Sequence, residues 1–176
     1  MKSTHRTGSR QKTLRPTTGK VREALFNILR DRIRDARFLD LYAGSGVIGI
    51  DALKQGASEV VFVEASKSSV KGIHEAVRKT RLPGRAQVIE KKAVSYIEWA
   101  GDNQLTFDII FLDPPYHSDE IMLILSAIDN APVLQEGGVV VAEHFTKKVL
   151  PDHFHTLHKI KDYKYGDSVL SIYGRD

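Results

Sequence analysis

The tetrapeptide Asp113-Pro114-Pro115-Tyr116 places a carboxylate, two prolines and an aromatic ring directly after the apolar run 107–112. Such a run is typical of a strand buried on both faces of a parallel sheet. Because proline cannot donate to a ladder and restricts the residue before it, the tetrapeptide is predicted to leave the sheet as a stiff loop. At the ligand-binding edge of an α/β sheet, this loop could hold its carboxylate, prolyl carbonyls and ring against a ligand. The alternative is a plain proline turn capped by Asp113.

A second candidate site is the segment Gly44-x-Gly46-x-x-Gly49, which follows the short apolar run 38–42 and opens a helical pattern. This spacing is the dinucleotide-binding fingerprint, in which the glycines let the backbone approach a ligand closely. Glu64 ends the next predicted strand, where an acid can accept hydrogen bonds from both hydroxyls of a ribose. The pattern predicts a nucleoside-bearing cofactor, and a plain tight turn is the alternative.

Asp40 helps to choose between cofactors, because it lies inside the first predicted strand just before the glycine segment. A carboxylate there disfavours the pyrophosphate of a nicotinamide cofactor and favours an ammonium group. S-adenosylmethionine carries an ammonium, a sulfonium and a ribose but no phosphate. We therefore predict S-adenosylmethionine; a nicotinamide oxidoreductase, the competing interpretation, would have no use for Asp113.

The composition restricts the class of protein. With 176 residues, 41% hydrophobic and 27% charged, the chain suits one soluble globular domain. The absence of cysteine excludes disulfides, thiolate zinc sites and cysteine nucleophiles. No apolar run is long enough to span a membrane and no signal peptide is recognisable, so a cytoplasmic protein is expected.

The positive charge is concentrated at the start of the chain, where seven basic residues and no acid precede Glu23. Since the whole chain carries +4, the remainder carries −3. We expect a flexible basic arm over residues 1–14, followed by a single domain over residues 15–176. Such an arm suits a polyanion, although a passive solvated tail is the alternative. The candidate nucleic-acid contacts are Arg6, Arg10, Lys12, Arg15, Lys20 and Arg22.

The elements that must position these residues alternate between helix and strand. A helix is predicted from a cap at Thr17 or Thr18 to about residue 30, and further strands and helices alternate up to residue 142. This alternation predicts a parallel sheet covered on both faces. Gly137-Gly138 is expected to turn the chain into a strand at 139–142. Two last strand-like runs, 155–163 and 168–173, are too close for a crossover helix and should pair antiparallel at the sheet edge.

Several of these segments resemble a known family. Residues 40–46 together with Asp113-Pro114-Pro115-Tyr116 resemble class I S-adenosylmethionine-dependent amino-group methyltransferases. Residues 15–17, 21–29 and 165–170 resemble the RsmD family, bacterial enzymes that methylate the exocyclic N2 of a guanine in 16S rRNA of the small ribosomal subunit. The resemblance covers nearly the whole chain beyond the arm. It implies a Rossmann-like, seven-stranded, mostly parallel sheet with the last strand antiparallel and helices on both faces.

The resemblance also implies roles for individual residues. The catalytic residues would be Asp113, Pro114, Pro115 and Tyr116. The contacts to S-adenosylmethionine would come from Asp40, Tyr42, Ala43, Gly44, Ser45, Gly46, Glu64, Ala65, Lys92, Ala93 and Asp113. One departure is that such enzymes often place an acid near the adenine where this chain has Lys91-Lys92-Ala93, which leaves only a backbone contact there.

Methyl transfer to an amine is an in-line displacement that needs alignment and acceptors for the two amine hydrogens, but no metal. The Asp113 carboxylate and the Pro114 carbonyl can accept one hydrogen each, and Tyr116 offers a face on which a flipped base can stack. His153, His155 and His158 have no carboxylate or thiolate set beside them and are interpreted as surface residues.

Two other functions remain open at this point. The same proline-rich loop occurs in adenine-N6 methyltransferases acting on DNA or RNA. The second is a non-catalytic module that binds S-adenosylmethionine and nucleic acid, although an intact Asp113–Tyr116 segment argues against it.

Overall fold

The structure is a computed structural model that describes residues 19–116 and 118–175. The predicted arm, the predicted helix caps Thr17 and Thr18, and the division of the chain at residue 14 lie outside the described residues. The strands are β1 (Arg37–Leu41), β2 (Glu59–Glu64), β3 (Ala86–Glu90), β4 (Phe107–Leu112), β5 (Leu134–Phe145), β6 (Leu157–Tyr165) and β7 (Ser168–Arg175). The helices are α1 (Gly19–Ile28), α2 (Val47–Lys54), α3 (Lys67–Arg78), α4 (Ala93–Asp102) and α5 (Glu120–Asn130), with a 3₁₀ turn at Pro83–Arg85.

All seven strands form one sheet in the order β3-β2-β1-β4-β5-β7-β6. The first five pair in parallel, whereas β7 pairs antiparallel with both β5 and β6. The predicted seven-stranded, mostly parallel sheet with its last strand antiparallel is therefore confirmed. Because β6 runs in the same direction as β5, the end of β6 lies at the carboxyl edge of the sheet, together with the ends of β1, β2 and β4.

Two apolar cores cover the two faces of the sheet, as the alternation of elements predicted. In β1, Phe38 joins the core that α1, α2 and α3 cover, while Leu39 and Leu41 join the core beneath α4 and α5. Strands β1, β2, β4 and β5 each contribute buried residues to both cores, which explains why their sequences are apolar without alternation. The rigid sheet between these cores fixes the positions of the loops at its carboxyl edge.

Helix α1 lies beside the turn that joins β6 to β7. Its residues Lys20 and Asn27 line the same groove as Tyr165 at the end of β6. Beyond the helix, the Arg32 guanidinium donates to the carbonyl of Gly137 near the start of β5, at a distance of 2.9 Å. The start of the described chain therefore lies close to the end of β6, at the edge that carries the Asp113 loop.

Strand β5 differs from its prediction, because it runs from Leu134 to Phe145 and contains Gly137-Gly138. The ladder with β4 shifts register at this point, from Phe107 opposite Leu134 to Ile109 opposite Val139. A Cβ on Gly138 would lie 2.9 Å from the carbonyl oxygen of Asp108. The glycine pair therefore permits an irregular insertion within a strand, rather than a turn before one.

The last two strands also differ from their predicted bounds, since β6 ends at Tyr165 and β7 at Arg175. Strand β6 begins at Leu157, because the Asp129 carboxylate accepts hydrogen bonds from the backbone N–H groups of His155, Thr156 and Leu157. The antiparallel pairing of the last two strands is confirmed, and Gly166 closes their turn with φ +57°.

Candidate active site

The loop that joins β1 to α2, residues 42–46, is called the glycine loop below. Its backbone takes left-handed conformations at Tyr42 (φ 60°), Gly44 (φ 56°) and Gly46 (φ 76°). The Gly46 N–H donates to the Ala43 carbonyl at 2.7 Å. The Gly46 carbonyl accepts from the Ile50 N–H, and this hydrogen bond begins helix α2. These conformations explain the glycines at two positions, because a side chain is strained there.

The three glycines of the fingerprint have different surroundings. A Cβ on Gly49 would collide with the ring of Phe62, so this glycine lets α2 pack closely on β2. A Cβ on Gly46 would lie 3.1 Å from the side chain of Ile73 in α3. Around Gly44 the nearest atom is the Tyr42 carbonyl oxygen at 3.9 Å. Gly44 is therefore the position where the loop backbone borders open space that a ligand can fill.

Glu64 holds the glycine loop at the end of β2. One carboxylate oxygen accepts from the Gly44 N–H at 2.8 Å and the other from the Ser66 N–H at 2.8 Å. Ser66 caps helix α3 with its own side chain, and the intervening Ala65 is exposed. Each carboxylate oxygen keeps a second acceptor site, so Glu64 can order the loop and still accept from a ligand hydroxyl.

Asp40 lies beneath the glycine loop and is only 1% exposed. Its carboxylate accepts from the backbone N–H of Gly49 in the first turn of α2 at 3.0 Å. Burial raises the pKa of this carboxyl to about 7; the Gly49 hydrogen bond opposes the shift and the charge of Glu64 adds to it. A positive group above the loop would favour the ionised form of Asp40.

The segment predicted to approach an adenine lies beside Glu64. Strand β3 pairs with β2, and the Lys91 N–H donates to the Glu64 carbonyl at 3.1 Å. Lys92 precedes α4 as its N-cap with an exposed side chain, and Ala93 is buried. The Lys91 ammonium lies over the Trp99 ring, 5.4 Å from its centroid. The structure thus brings Lys92 and Ala93 to the same edge as Glu64.

The Asp113-Pro114-Pro115-Tyr116 segment, called the proline loop below, follows β4 without a gap. Asp113 is half-buried, Pro114 is buried and Pro115 is exposed. The Ser118 hydroxyl donates to the Pro115 carbonyl at 2.8 Å. This hydrogen bond connects the proline loop to the residues that precede α5.

Tyr116 is anchored on the end of β5. Its hydroxyl donates to the carboxylate of Glu143 at 3.1 Å, and its ring centroid is 4.2 Å from that of Phe145. Burial, together with the negative charges of Asp113 and Glu143, raises the pKa of the Tyr116 hydroxyl. The phenol therefore stays protonated and continues to donate to Glu143 at neutral pH.

Strand β5 contributes residues that the sequence interpretation missed. Glu143 is 1% exposed near the end of this strand, and Lys148 beyond it donates to the Ser118 carbonyl at 2.9 Å. The available signal was an acid at the end of an apolar run, the same pattern that marks Glu64. Lys148 gave no such signal, because a lysine in a polar loop is ordinary.

The glycine loop and the proline loop lie side by side. They follow adjacent parallel strands, whose last paired residues are Leu41 and Leu112. Strands β2 and β3 extend the sheet in one direction from β1, and β4 and β5 extend it in the other. In open α/β sheets this reversal of strand order forms the crevice where ligands bind. A ligand on the glycine loop and an acceptor on the proline loop would therefore meet.

The predicted nucleic-acid contacts are only partly within the described residues. Lys20 is exposed at the start of α1. Arg22 forms an ion pair with Asp51 of α2 at 3.1 Å. The remaining candidates lie outside the described residues: Arg6, Arg10, Lys12 and Arg15.

Two other kinds of site are not found in the described part of the chain. Among residues 19–116 and 118–175, no group of three or more histidine, aspartate or glutamate side chains could hold a metal ion. Within the same residues, no helix is long and apolar enough to cross a membrane.

The sheet order, the crevice between β1 and β4 and the antiparallel last strand define the Rossmann-like fold of class I S-adenosylmethionine-dependent methyltransferases. The family model described as "Conserved hypothetical protein 95" matches residues 6–174. The chain belongs to this family, the RsmD family, as the resemblance predicted.

Individual relatives agree with this assignment. Protein YlbH of Bacillus subtilis is 35% identical over 159 residues, which cover 90% of this chain and 86% of that protein. Ribosomal RNA small subunit methyltransferase D of Escherichia coli is 30% identical over 138 residues, covering 78% of this chain and 68% of that protein. The solved structure of yhhF from Escherichia coli superposes with a TM-score of 0.83 at 25% identity, covering 92% of this chain and 88% of that one.

Proposed function

We propose that the protein transfers a methyl group from S-adenosylmethionine to the exocyclic N2 of a guanine in 16S rRNA of the small ribosomal subunit. The observation that carries this proposal is the placement of the glycine loop and the proline loop on adjacent strands at the switch point. The name and 30% identity of the Escherichia coli relative support ribosomal RNA as the substrate. A substrate of that kind implies action in the cytoplasm.

The described residues fit S-adenosylmethionine, whose sulfonium supplies an electrophilic methyl carbon when it is bound. Gly44 borders open space, and Glu64 beside it has acceptor sites for ribose hydroxyls. We assign Asp40 to the charge of the ammonium group and the backbone at Lys92-Ala93 to the adenine. The glycine-loop residues Tyr42, Ala43, Ser45 and Gly46 and the neighbouring Ala65 complete this proposed contact set.

The proline loop would hold the acceptor. Guanine N2 is a poor nucleophile because its lone pair is delocalised into the ring. We propose that the Asp113 carboxylate and the Pro114 carbonyl each accept one N2 hydrogen, which directs the lone pair at the methyl carbon and stabilises positive charge developing on nitrogen. Asp113 or water then takes the proton. Tyr116, whose ring Phe145 and Glu143 hold in place, would stack on the extruded base, and Pro115 keeps the loop stiff.

The basic arm over residues 1–14 is proposed to bind RNA phosphates in front of a single domain over residues 15–176. Replacing Arg6, Arg10 and Lys12 by Gln should weaken RNA binding and reduce the slope of log K against log salt by about 0.7 to 0.9 for each phosphate that is no longer neutralised. A matched control replaces Lys54, Arg78 and Lys79, which are exposed at the amino edge of the sheet. An unchanged slope of log K against log salt in the arm variant would show that the arm is a passive tail.

The function is tested by incubating the protein with S-adenosylmethionine labelled in the methyl group and with small ribosomal subunits or free ribosomal RNA from cells lacking it. The RNA is then digested and the labelled nucleoside identified. N2-methylguanosine is the expected product, and Asp113→Ala should abolish it while Asp102→Ala, a change at an exposed acid ending α4, should not. Label in N6-methyladenosine would establish the adenine alternative. Cofactor binding without transfer to any RNA or DNA would establish a binding module.

A further inference from the structure

A groove of about 660 Å³ separates α1 from the turn between β6 and β7. This volume lies in the range of roughly 300–1,000 Å³ that is typical of ligand sites. We call it the hairpin groove. The side chains that line it and enter the argument are Lys20, Glu23, Asn27, Tyr165, Asp167 and Ser168.

The hairpin groove adjoins the proline loop without including it. No residue of the segment Asp113–Tyr116 lines the groove. Ser168 links the two, because it lines the groove and its backbone pairs with Phe145 of β5, whose ring packs on that of Tyr116. The Asp167 carbonyl accepts from the Thr146 N–H at 3.0 Å, which fixes the turn on the end of β5. The groove is therefore a separate compartment, one residue beyond the ring proposed to stack on the acceptor base.

The lining has the chemistry that an unpaired nucleotide requires. Tyr165 is half-buried and offers an aromatic surface, and Asn27 carries an exposed amide that both donates and accepts. The exposed carboxylates of Glu23 and Asp167 can accept from the N–H groups of a base, but they would repel a phosphate. The ammonium group of Lys20, at the start of α1, can form an ion pair with a phosphate. The base would thus point to the carboxylates and the phosphate to Lys20.

We propose that the hairpin groove binds the unpaired RNA nucleotide adjacent to the acceptor guanosine, so that α1 and the β6–β7 turn read the sequence next to the methylation site. This inference rests on the proposed function, since it takes the proline loop as the acceptor site. The choice of RNA as occupant follows from the basic segment, which joins the fold at Gly19 beside Lys20. A strand of RNA running from the proline loop across Tyr116 and Ser168 would then continue toward Lys20 at the start of α1.

The test measures binding of a fluorescently labelled single-stranded oligoribonucleotide and of the same oligonucleotide in a duplex, by anisotropy, with the full chain. The test variants are Asn27→Ala, Asp167→Asn and the double variant that combines them. The matched controls, Asn130→Ala and Asp102→Asn, make the same chemical changes at exposed positions that end helices on the opposite face of the sheet. Binding of S-adenosylmethionine and the unfolding temperature are measured for every variant, so that a loss of fold is recognised.

We expect the double variant of Asn27 and Asp167 to bind the single strand about tenfold more weakly, with duplex binding and cofactor binding unchanged. In the transfer assay KM for the RNA substrate should rise while kcat is kept. Single-strand binding equal to that of the controls would overturn the inference. A lower unfolding temperature without a change in RNA affinity would also overturn it, because the two side chains would then stabilise the fold without contacting RNA.

The failure of this inference and of the proposed function can be told apart. A protein that transfers no methyl group to any RNA, yet binds the single strand more weakly when Asn27 and Asp167 are changed, would retain the groove as an RNA site without the proposed reaction. A protein that forms N2-methylguanosine with unchanged KM in the double variant would retain the reaction without an RNA site in the groove.

Discussion

The glycine loop and the proline loop leave adjacent strands at one edge of the sheet, but different groups hold them in place. The glycine loop and the first turn of α2 donate backbone N–H groups to two carboxylates, from Gly44 to Glu64 and from Gly49 to Asp40. The proline loop is held through side chains, with Tyr116 on Glu143 and Phe145 of β5.

This difference separates two ways of pre-organising a site. Backbone donors survive substitution of the residues that carry them, so the glycine loop depends on its two acceptors and on the glycines. The proline loop depends on partners that lie 27 or more residues away in the chain, such as Glu143 for Tyr116 and Lys148 for Ser118. Changes in β5 should therefore impair the acceptor half of the site and spare the cofactor half, and the following predictions test that separation.

The largest effect is expected at Asp113. Asp113→Ala removes the proposed acceptor for an amine hydrogen, and methyl transfer should fall by about a thousandfold. S-adenosylmethionine affinity, measured by calorimetry, should change by less than about threefold, since the glycine loop keeps its anchors. An equal loss of affinity and transfer would contradict the separation of the two loops.

Replacing Asp40 by Asn should increase the stability of the fold and weaken the binding of S-adenosylmethionine. Burial raises the pKa of Asp40 to about 7 in the folded chain, whereas it is near 4 in the unfolded chain. The stability that the protonated carboxyl contributes is therefore complete below pH 4 and is lost as the pH rises through 7. Asn keeps an acceptor for Gly49 without a charge, so Asp40→Asn should increase the free energy of unfolding by roughly 2 to 4 kcal/mol at pH 8 and by little at pH 4.

The measurement for Asp40 is urea unfolding of both proteins across this pH range, together with cofactor affinity at pH 8. We expect the more stable variant to bind S-adenosylmethionine more weakly, because it lacks the charge assigned to the ammonium group. A variant with the same pH dependence of stability as the parent chain would show that Asp40 titrates normally.

A smaller effect is expected at Glu64. Glu64→Gln keeps one acceptor for the Gly44 or Ser66 N–H but removes the charge and the second acceptor, so cofactor affinity should fall about tenfold. The control is Glu143→Gln, the same change beneath the proline loop, which should leave cofactor affinity unaltered. If both changes lower cofactor affinity to the same extent, the two halves of the site are not independent.

The smallest effect is expected from the Tyr116 hydroxyl. Tyr116→Phe keeps the ring against Phe145 but leaves the buried Glu143 without this donor, so kcat should fall severalfold while KM for S-adenosylmethionine stays constant. Glu143→Gln should be milder, because the amide oxygen still accepts. A rise in the KM for S-adenosylmethionine in either variant would place the tyrosine in the cofactor half.

The regular elements were largely predictable, because their signals are local. Strand β4 has the bounds that the apolar run 107–112 indicated, and helices and strands alternate up to β5 as predicted. The errors occurred where a distant group decides the backbone. Asp129 binds the N–H groups at the predicted start of β6, and the register shift opposite Phe107 absorbs Gly137-Gly138 into β5.

By itself, the sequence determined the alternation of strands and helices and the positions of the two loops, because apolar runs, glycine spacing and prolines act within a few residues. Only the tertiary structure decided what supports those loops. Glu143 and Phe145 meet Tyr116 because β5 is the parallel neighbour of β4, and α1 lines one groove with the distant β6–β7 turn. Such contacts depend on which strands become neighbours when the sheet forms, and no local pattern along the chain encodes that choice.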